Sequence, residues 1–213
     1  MWPHLRSTPP ALPTAGTVLR TGATLAVLGS VVLGPGPLAG AAPAAHPRAA
    51  AAVTVANFSF TPARAHVVLG GRVTWTFPEP MAHTTTSDKG FWNSGPRRNG
   101  VTFTRTFATA GTYRYHCSIH TFMHGRVLVP MTATGSAAHG WHLRWAASMP
   151  THYSVDVQVR KRGSSAWSPL RTGTTRLGAS YHPAKAGTYL LRARSHRNVH
   201  TSGWSPVSTI QVS

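Results

Sequence analysis

The sequence predicts an all-β protein made of two small sandwiches. From Val53 onward no long stretch has helical periodicity, and several short segments alternate apolar and polar residues, as strands with one buried face do. Turns rich in Gly, Pro and Asn-Gly separate these segments at short intervals. A chain of 213 residues allows one or two domains, and short, regularly spaced strands favour sandwiches.

Residues 1–45 have the composition of an export signal peptide. The first 22 residues carry Arg6 and Arg20 and no acid, an apolar stretch runs from Ala23 to Leu38, and the small residues 39–42 suit signal peptidase. The apolar stretch is short and interrupted by Gly and Pro, which favours a cleaved signal over the alternative, an uncleaved anchor. The sequence therefore predicts a secreted, extracytoplasmic protein without a membrane span in its mature form.

Residues 53–130 are predicted to form the first domain. The candidate strands are Val53–Phe60, His66–Leu69, Arg72–Phe77, Thr102–Phe107, Gly111–His116 and Gly125–Val129. Within them Val73, Trp75 and Phe77 fall on one face, which should be buried.

Residues 131–138 are predicted to be a linker, because they carry no charge and few large apolar side chains. Residues 139–213 then form a second set of strands. These are Gly140–Ala146, Tyr153–Arg162, Trp167–Thr172, Thr188–Arg194 and Val207–Val212.

One tetrapeptide occurs in both domains: Ala110-Gly-Thr-Tyr113 returns as Ala186-Gly-Thr-Tyr189. Each copy opens a strand near the end of its domain, as the tyrosine corner of a Greek-key sandwich does. The flanking residues do not match, which indicates shared topology rather than a duplicated gene. The alternative is coincidence, since this tetrapeptide is common where a turn becomes a strand.

The composition excludes several classes of site. There are 21 Lys and Arg against three acids, for a formal charge of +18, and those acids are Glu79, Asp88 and Asp156. So few carboxylates nearly exclude paired-carboxylate hydrolysis and carboxylate-rich Ca²⁺ or Mg²⁺ sites. The single cysteine, Cys117, excludes an intrachain disulfide, a Cys₄ zinc site and a cysteine-bound iron–sulfur cluster.

Enzyme functions based on the remaining residues are also disfavoured. A thiol hydrolase would need Cys117 activated by a base and an orienting carboxylate, and no such carboxylate is available. A multicopper oxidase would need His-x-His pairs, and the sequence has none. We therefore expect that the protein is not a catalyst.

The informative motif is C-x₂-H-x₂-M, formed by Cys117, His120 and Met123 between a strand that ends and a strand that begins. A tight loop of this kind can aim all three side chains at one point. Thiolate and imidazole suit copper, and a thioether suits a weak axial ligand. A second imidazole should come from another loop, where His83 follows the strand Arg72–Phe77.

Residues 53–130 resemble the cupredoxins, the small blue copper proteins of amicyanin and plastocyanin type. The matching features are Phe58-Ser-Phe60, Gly70-Gly71 before Val73-Thr-Trp75, His83, Gly90-Phe-Trp-Asn-Ser-Gly95, Phe107, Gly111-Thr-Tyr113 and the Cys117–Met123 loop. The resemblance implies one type 1 copper site, cycling between Cu(I) and Cu(II), with His83, Cys117, His120 and Met123 as metal ligands. It implies single-electron, outer-sphere transfer to a redox partner protein through the exposed edge of His120, with Phe122 and Met81 at the rim.

Two details of the motif qualify this resemblance. Many small cupredoxins have Asn after the first ligand histidine, where it ties the two ligand loops together, whereas this chain has Thr84, whose hydroxyl can do a similar job. His116 and His124 flank the ligands and are expected to point away from the metal, although His124 is a candidate supporting group or alternative axial ligand.

Residues 139–213 resemble a fibronectin type III module, an immunoglobulin-like sandwich. The matching features are Trp145, Tyr153–Val159, Trp167, Tyr189–Arg194 and Trp204-Ser-Pro206. This part has ten Lys and Arg and one acid. Such a surface suits an anionic envelope polymer, a glycan or an acidic redox partner better than nucleic acid, given export. A basic surface without a specific target is the alternative.

Two other functions remain open at this point. Copper sequestration or delivery would use the same ligands without a redox partner. A surface adhesion protein would work through the second domain, with a vestigial copper site.

Overall fold

The computed structural model describes residues 48–213, and every regular element in that range is a β-strand. The strands are β1 (Arg48–Ala56), β2 (Ser59–Thr61), β3 (Arg64–Phe77), β4 (Thr86–Ser87), β5 (Val101–Phe107), β6 (Gly111–His116), β7 (His124–Val129), β8 (Thr132–Ser136), β9 (Gly140–Arg144), β10 (Tyr153–Lys161), β11 (Ser168–Thr174), β12 (Gly178–Tyr181), β13 (Gly187–Arg197), β14 (His200–Thr201) and β15 (Ser208–Val212). The all-β fold class is confirmed. The predicted signal peptide, residues 1–45, lies outside the described residues. Within 48–213 there is no helix with the length and apolar character needed to cross a membrane.

Strands β1 to β7 form the first sandwich around a long shared strand, β3. The strand order is β2-β1-β3-β7-β6-β4, and β5 pairs with β3. The first residues of β3 pair in parallel with β7 (Arg64 opposite Arg126), whereas its last residues pair antiparallel with β5 (Gly71 opposite Phe107). One strand therefore serves both sides of the sandwich.

The course of β3 corrects two predicted strand boundaries. His66–Leu69 and Arg72–Phe77 were expected to be separate strands, but Gly70 and Gly71 lie inside one 14-residue strand. Gly70 takes a left-handed conformation, with φ at 77°, and this lets the chain bend without leaving the ladder.

The start of the first domain also differs from the prediction. The expected strand Val53–Phe60 is instead β1, which begins at Arg48, followed by β2 after a turn at Asn57 and Phe58. Both turn residues have positive φ, 49° and 53°. The core of this sandwich includes the predicted face of Val73, Trp75 and Phe77, all fully buried.

Strands β8 to β15 form two further sheets with their own core. One sheet has the order β11-β10-β13-β14 with β15 paired to β13, and the other has the order β12-β9-β8. The buried residues of this second core are Ala110, Met131, Leu143, Trp145, Ala146, Val155, Val157, Leu191, Ala193 and Ile210.

The segment predicted as a linker, residues 131–138, is largely part of the second sheet system. Thr132–Ser136 is β8, which pairs antiparallel with β9, and Met131 is only 2% exposed. The segment lacks apolar alternation because β8 is an edge strand with mostly exposed side chains. Its conformation is determined by backbone pairing rather than by its own pattern.

Both Ala-Gly-Thr-Tyr segments make the hydrogen bond expected of a tyrosine corner. The Tyr113 hydroxyl donates to the carbonyl oxygen of Thr109 at 2.9 Å, and the Tyr189 hydroxyl donates to that of Lys185 at 2.8 Å. In each case the acceptor lies four residues upstream, so equal local sequence gives equal local geometry.

The first corner also joins the two sets of strands, and the described residues belong to one compact unit. The backbones of Thr112 and Gly203 exchange two hydrogen bonds of 2.9 Å. Ser195 Oγ donates to the carbonyl oxygen of Ala110 at 2.8 Å and lies 3.1 Å from the Tyr113 hydroxyl. Strand β6, which leads to Cys117, is therefore held by the second domain as well as by its own sandwich.

Candidate metal centre

Two loops at one end of the first sandwich carry the predicted ligands. Cys117 directly follows β6, and the loop to β7 is closed by backbone hydrogen bonds from Cys117 N–H to Met123 O (3.2 Å) and from Met123 N–H to His120 O (3.0 Å). His83 lies between β3 and β4, where its backbone exchanges two hydrogen bonds with Arg97 at 3.0 and 2.8 Å. Pairing with Arg97 holds the His83 loop in place.

The structure brings His83, Cys117 and His120 together. Cys117 Sγ lies 3.9 Å from His83 Nδ1 and 3.8 Å from His120 Nδ1, and the two Nδ1 atoms are 3.1 Å apart. A first-row transition metal bonds thiolate and imidazole at about 2.0–2.3 Å, so an ion fits among donors with these separations. The three residues form a candidate copper site.

Met123, the fourth predicted ligand, is buried in the same core cluster as Cys117. Its backbone closes the ligand loop through the two hydrogen bonds described above. Met123 therefore shares both the ligand loop and the buried core with Cys117.

Burial prepares His83 to coordinate a metal. Burial lowers the pKa of His83 below its ordinary value, and the neighbouring His120 lowers it further, while Glu79 opposes both effects. His83 Nε2 lies 3.5 Å from a Glu79 carboxylate oxygen, a distance typical of a weak electrostatic contact. A neutral imidazole with Nδ1 facing Cys117 is the form that binds a metal.

Thr84 ties the two ligand loops together, as expected for the residue in that position. The Ser118 N–H donates to Thr84 Oγ1 at 2.8 Å, and the two hydroxyls are 3.0 Å apart. The Thr84 N–H also donates to Cys117 Sγ at 3.3 Å. That last bond stabilises negative charge on the sulfur and orients it towards the two imidazoles.

An exposed apolar rim surrounds His120. Phe122, Met81 and Phe58 are 67%, 45% and 44% exposed. The Phe58 ring contacts His120 edge-on, with ring centroids 4.9 Å apart, and lies 6.0 Å from Phe122. Sequence reasoning placed Phe122 and Met81 at this rim but missed Phe58, which was assigned to a strand. The sequence feature that indicates a turn here is Asn57, since Asn favours left-handed backbone conformations.

His116 and His124 lie outside the three-residue cluster, as expected. His116 Nδ1 lies 2.7 Å from Asp88 Oδ1, on the outer face of β6. His124 is exposed and stands opposite His116 in the ladder between β6 and β7. His116 is thus a natural control for the histidines of the cluster.

Comparison with known proteins points to one family. Residues 48–130 match the model for "Copper binding proteins, plastocyanin/azurin family". The chain is 35% identical over 82 residues to amicyanin of Paracoccus denitrificans, covering 36% of this chain and 63% of that protein. It is 30% identical over 93 residues to amicyanin-alpha of Methylorubrum extorquens, covering 39% of this chain and 74% of that protein.

Solved structures give a similar alignment. A reduced Cu(I) form of an amicyanin variant is 33% identical, covers 38% of this chain and 81% of its own, and has a TM-score of 0.36. All of these matches involve about two fifths of the chain.

Proposed function

The chain belongs to the plastocyanin/azurin family of copper-binding proteins, and on that premise we propose that residues 48–130 carry single electrons on one type 1 copper ion. The observation that carries the proposal is the group of His83 Nδ1, Cys117 Sγ and His120 Nδ1, all within 4.8 Å of one another. Two imidazoles and one thiolate are the donor set of blue copper sites. The protein acts as a carrier rather than a catalyst.

Each ligand residue has a defined part in this proposal. A copper ion held by these residues would supply one-electron, outer-sphere redox chemistry between Cu(I) and Cu(II). Burial holds the donor atoms of His83 and Cys117 fixed, and Met123 would complete the ligand set with its thioether. The Thr84 N–H bond to Cys117 Sγ limits movement of the sulfur.

The exposed rim around His120 is the proposed port for electrons. His120 is the ligand residue with the greatest exposure, since His83, Cys117 and Met123 are all buried. Phe58, Met81 and Phe122 make a dry contact surface for a redox partner protein. The His120 imidazole would then be the one ligand group between the partner and a bound metal.

The remaining predictions extend this proposal to the whole chain. Residues 1–45 act as an export signal, so the copper domain works outside the cytoplasm. Residues 139–213 form a fibronectin type III-like module, which the paired sheets and the Tyr189 corner support. This module positions the copper domain against an anionic envelope polymer or glycan.

An ordered basic face supports that role of the second domain. Arg192 Cζ lies 4.0 Å from the centre of the Trp167 ring and 4.4 Å from that of Trp204. Arg160 Cζ lies 4.8 Å from the centre of the Trp167 ring, and Arg194 Cζ lies 4.6 Å from that of Trp204. Each ring therefore contacts two guanidinium groups, and this surface offers ordered positive charge.

The test is the visible and EPR spectrum of the protein with one equivalent of Cu(II). An intense thiolate-to-copper band with narrow copper hyperfine splitting is expected, and it should vanish in Cys117→Ser and weaken strongly in His83→Ala. His116→Ala, next to Cys117 but bonded to Asp88, is the matched control and should keep the spectrum. A tetragonal Cu(II) spectrum in the unaltered protein would overturn electron transfer and favour copper sequestration or delivery.

A further inference from the structure

A wide, shallow cleft of about 800 Å³, largely open to solvent, lies between the copper domain and the second domain. The copper domain contributes Trp92, Phe103 and Arg105 to its walls, and the second domain contributes Tyr153 and Arg197. Sites for small molecules commonly have volumes of roughly 300–1,000 Å³ and often lie at domain boundaries. Neither sandwich alone makes this cleft, so its ligand would depend on both.

The charged groups of the cleft are all cationic. Arg105 and Arg197 line it, and no carboxylate does. Arg105 Nη2 donates to the Tyr153 hydroxyl at 3.1 Å, and Arg197 Nη1 donates to the carbonyl oxygens of Gly90 and Phe91, both at 3.1 Å. A guanidinium has five N–H donors, so these bonds orient both groups and leave donors on each for an anion.

The rest of the lining suits a ring with hydroxyl groups. Trp92, Phe103 and Tyr153 supply apolar surface, while Thr86 and Asn93 supply polar groups. Arg105 also lies over the Trp92 ring at 5.4 Å, which keeps its planar group beside the aromatic wall. A flat apolar body with a carboxylate at one end would satisfy both sets of groups.

We propose that this cleft binds a small hydroxylated aromatic carboxylate. Arg105 and Arg197 bind the carboxylate from opposite domains. The aromatic ring packs against Trp92 and Phe103, and its hydroxyl group bonds to Thr86 or Asn93. The ligand thereby bridges the two domains.

A short chain of bonds joins the cleft to the candidate copper site. The Trp92 indole N–H donates to Thr85 Oγ1 at 3.0 Å, and the N–H of the preceding residue, Thr84, donates to Cys117 Sγ at 3.3 Å. A ligand that shifts Trp92 therefore changes the hydrogen bonding around the thiolate. This link rests on the proposed copper function, whereas binding in the cleft does not.

Calorimetric titration of the metal-free protein with 4-hydroxybenzoate tests the binding. Arg105→Gln and Arg197→Gln should each weaken binding about 10-fold or more, since each removes a charge-assisted hydrogen bond. Arg162→Gln changes an exposed arginine outside the cleft and is the matched control. Unchanged affinity in both cleft variants, or equal loss in the control, would overturn the site. If Arg105→Gln does not fold, the affinity of Arg197→Gln for 4-hydroxybenzoate tests the site by itself.

Three probes test the ligand class. Phenol lacks the carboxylate and cyclohexanecarboxylate lacks the aromatic ring, so both should bind at least about 10-fold more weakly than 4-hydroxybenzoate. Galacturonate is a carboxylate on a sugar ring. Binding of galacturonate in preference to 4-hydroxybenzoate would overturn the aromatic class.

The copper-loaded protein tests the link separately. Adding 4-hydroxybenzoate should shift the thiolate-to-copper band, and the shift should be lost in Trp92→Phe, which cannot donate to Thr85. Binding without any shift would overturn the link. Failure of the proposed copper function is recognised independently, because the band is then absent before any ligand is added.

Discussion

The two Ala-Gly-Thr-Tyr corners share one geometry in different surroundings. Tyr113 is buried at the junction of the two domains, where it also meets Ser195, whereas Tyr189 is only half-buried at the edge of the second sandwich. Burial raises the pKa of Tyr113 to about 12. The comparison shows that the same four residues determine the local turn in both places. The contribution of each turn to the free energy of unfolding depends on the residues that pack against it.

Replacing the glycine of either corner by alanine should destabilise the protein, but the physical reason differs between the two corners. A Cβ on Gly111 would lie 2.6 Å from Ser202 Oγ across the domain junction, whereas Gly187 has φ at 138° and would meet only the flexible end of Lys161. We expect Gly111→Ala and Gly187→Ala each to cost about 2 kcal/mol in the free energy of unfolding.

A second substitution separates the two causes. Ser202→Ala should recover a large part of the loss in Gly111→Ala, because it removes the nearest atom of the clash. Lys161→Ala should not rescue Gly187→Ala, because backbone strain remains. Denaturant unfolding of the single and double variants measures this, and equal rescue in both corners would contradict the distinction.

Removing the tyrosine hydroxyls should have unequal effects at the two corners. Tyr113→Phe removes the donor to the buried Thr109 carbonyl and to Ser195 Oγ, at a cost of about 2 kcal/mol. Tyr189→Phe exposes the Lys185 carbonyl to water and should cost about 0.5–1 kcal/mol. Equal losses of thermal stability would show that the domain junction adds nothing to the first corner.

High pH should destabilise the copper domain through Tyr113, and low pH should destabilise the second domain through Asp156. The pKa of Tyr113 is near 12 when folded and about 10 when unfolded, so its contribution is full below pH ~10 and is lost as pH rises towards 12. Burial raises the pKa of Asp156, but hydrogen bonds from Gly173 N–H, His196 and Arg194 outweigh burial and lower it. The contribution of Asp156 is therefore present above its unfolded pKa and lost as pH falls. Melting temperatures measured against pH should lose part of their alkaline slope in Tyr113→Phe, since buried Tyr115 also has its pKa raised to about 12, and part of their acid slope in Asp156→Asn.

A change confined to the copper loops should also have a small effect. Thr84→Val removes the hydroxyl that accepts from Ser118 N–H, at a cost of about 1 kcal/mol in stability, and should speed copper loss to a chelator. Thr84→Asn restores an acceptor and should retain copper nearly as well as the unaltered protein. Both variants should leave the contacts at the domain junction unchanged. Their effects can therefore be assigned to the copper site rather than to the Tyr113 corner beside it.

The sequence was most informative where local chemistry decides the structure. Strand Gly111–His116 was predicted with its observed bounds, because a glycine turn and alternating residues mark it. The grouping of His83 with Cys117 and His120 was predicted from ligand types in a known order. These features depend on few residues outside their own segments.

Features that depend on distant partners were missed. Strand β8 is stabilised by pairing with β9 and has no apolar alternation of its own. Ser195 and Ser202 give no signal in sequence, because a buried serine bonded across a junction resembles any surface serine. Phe58 was assigned to a strand, since the turn that exposes it requires two residues with positive φ.

The complete burial of Cys117 has a consequence for the reactivity of its thiol. Oxidants, alkylating reagents and other thiols must reach a sulfur before they react with it, and this sulfur is covered on all sides. The folded protein should therefore stay monomeric with respect to disulfide exchange and resist iodoacetamide. Labelling should begin only at denaturant concentrations that open the sandwich, so that the lone cysteine becomes a built-in reporter of unfolding.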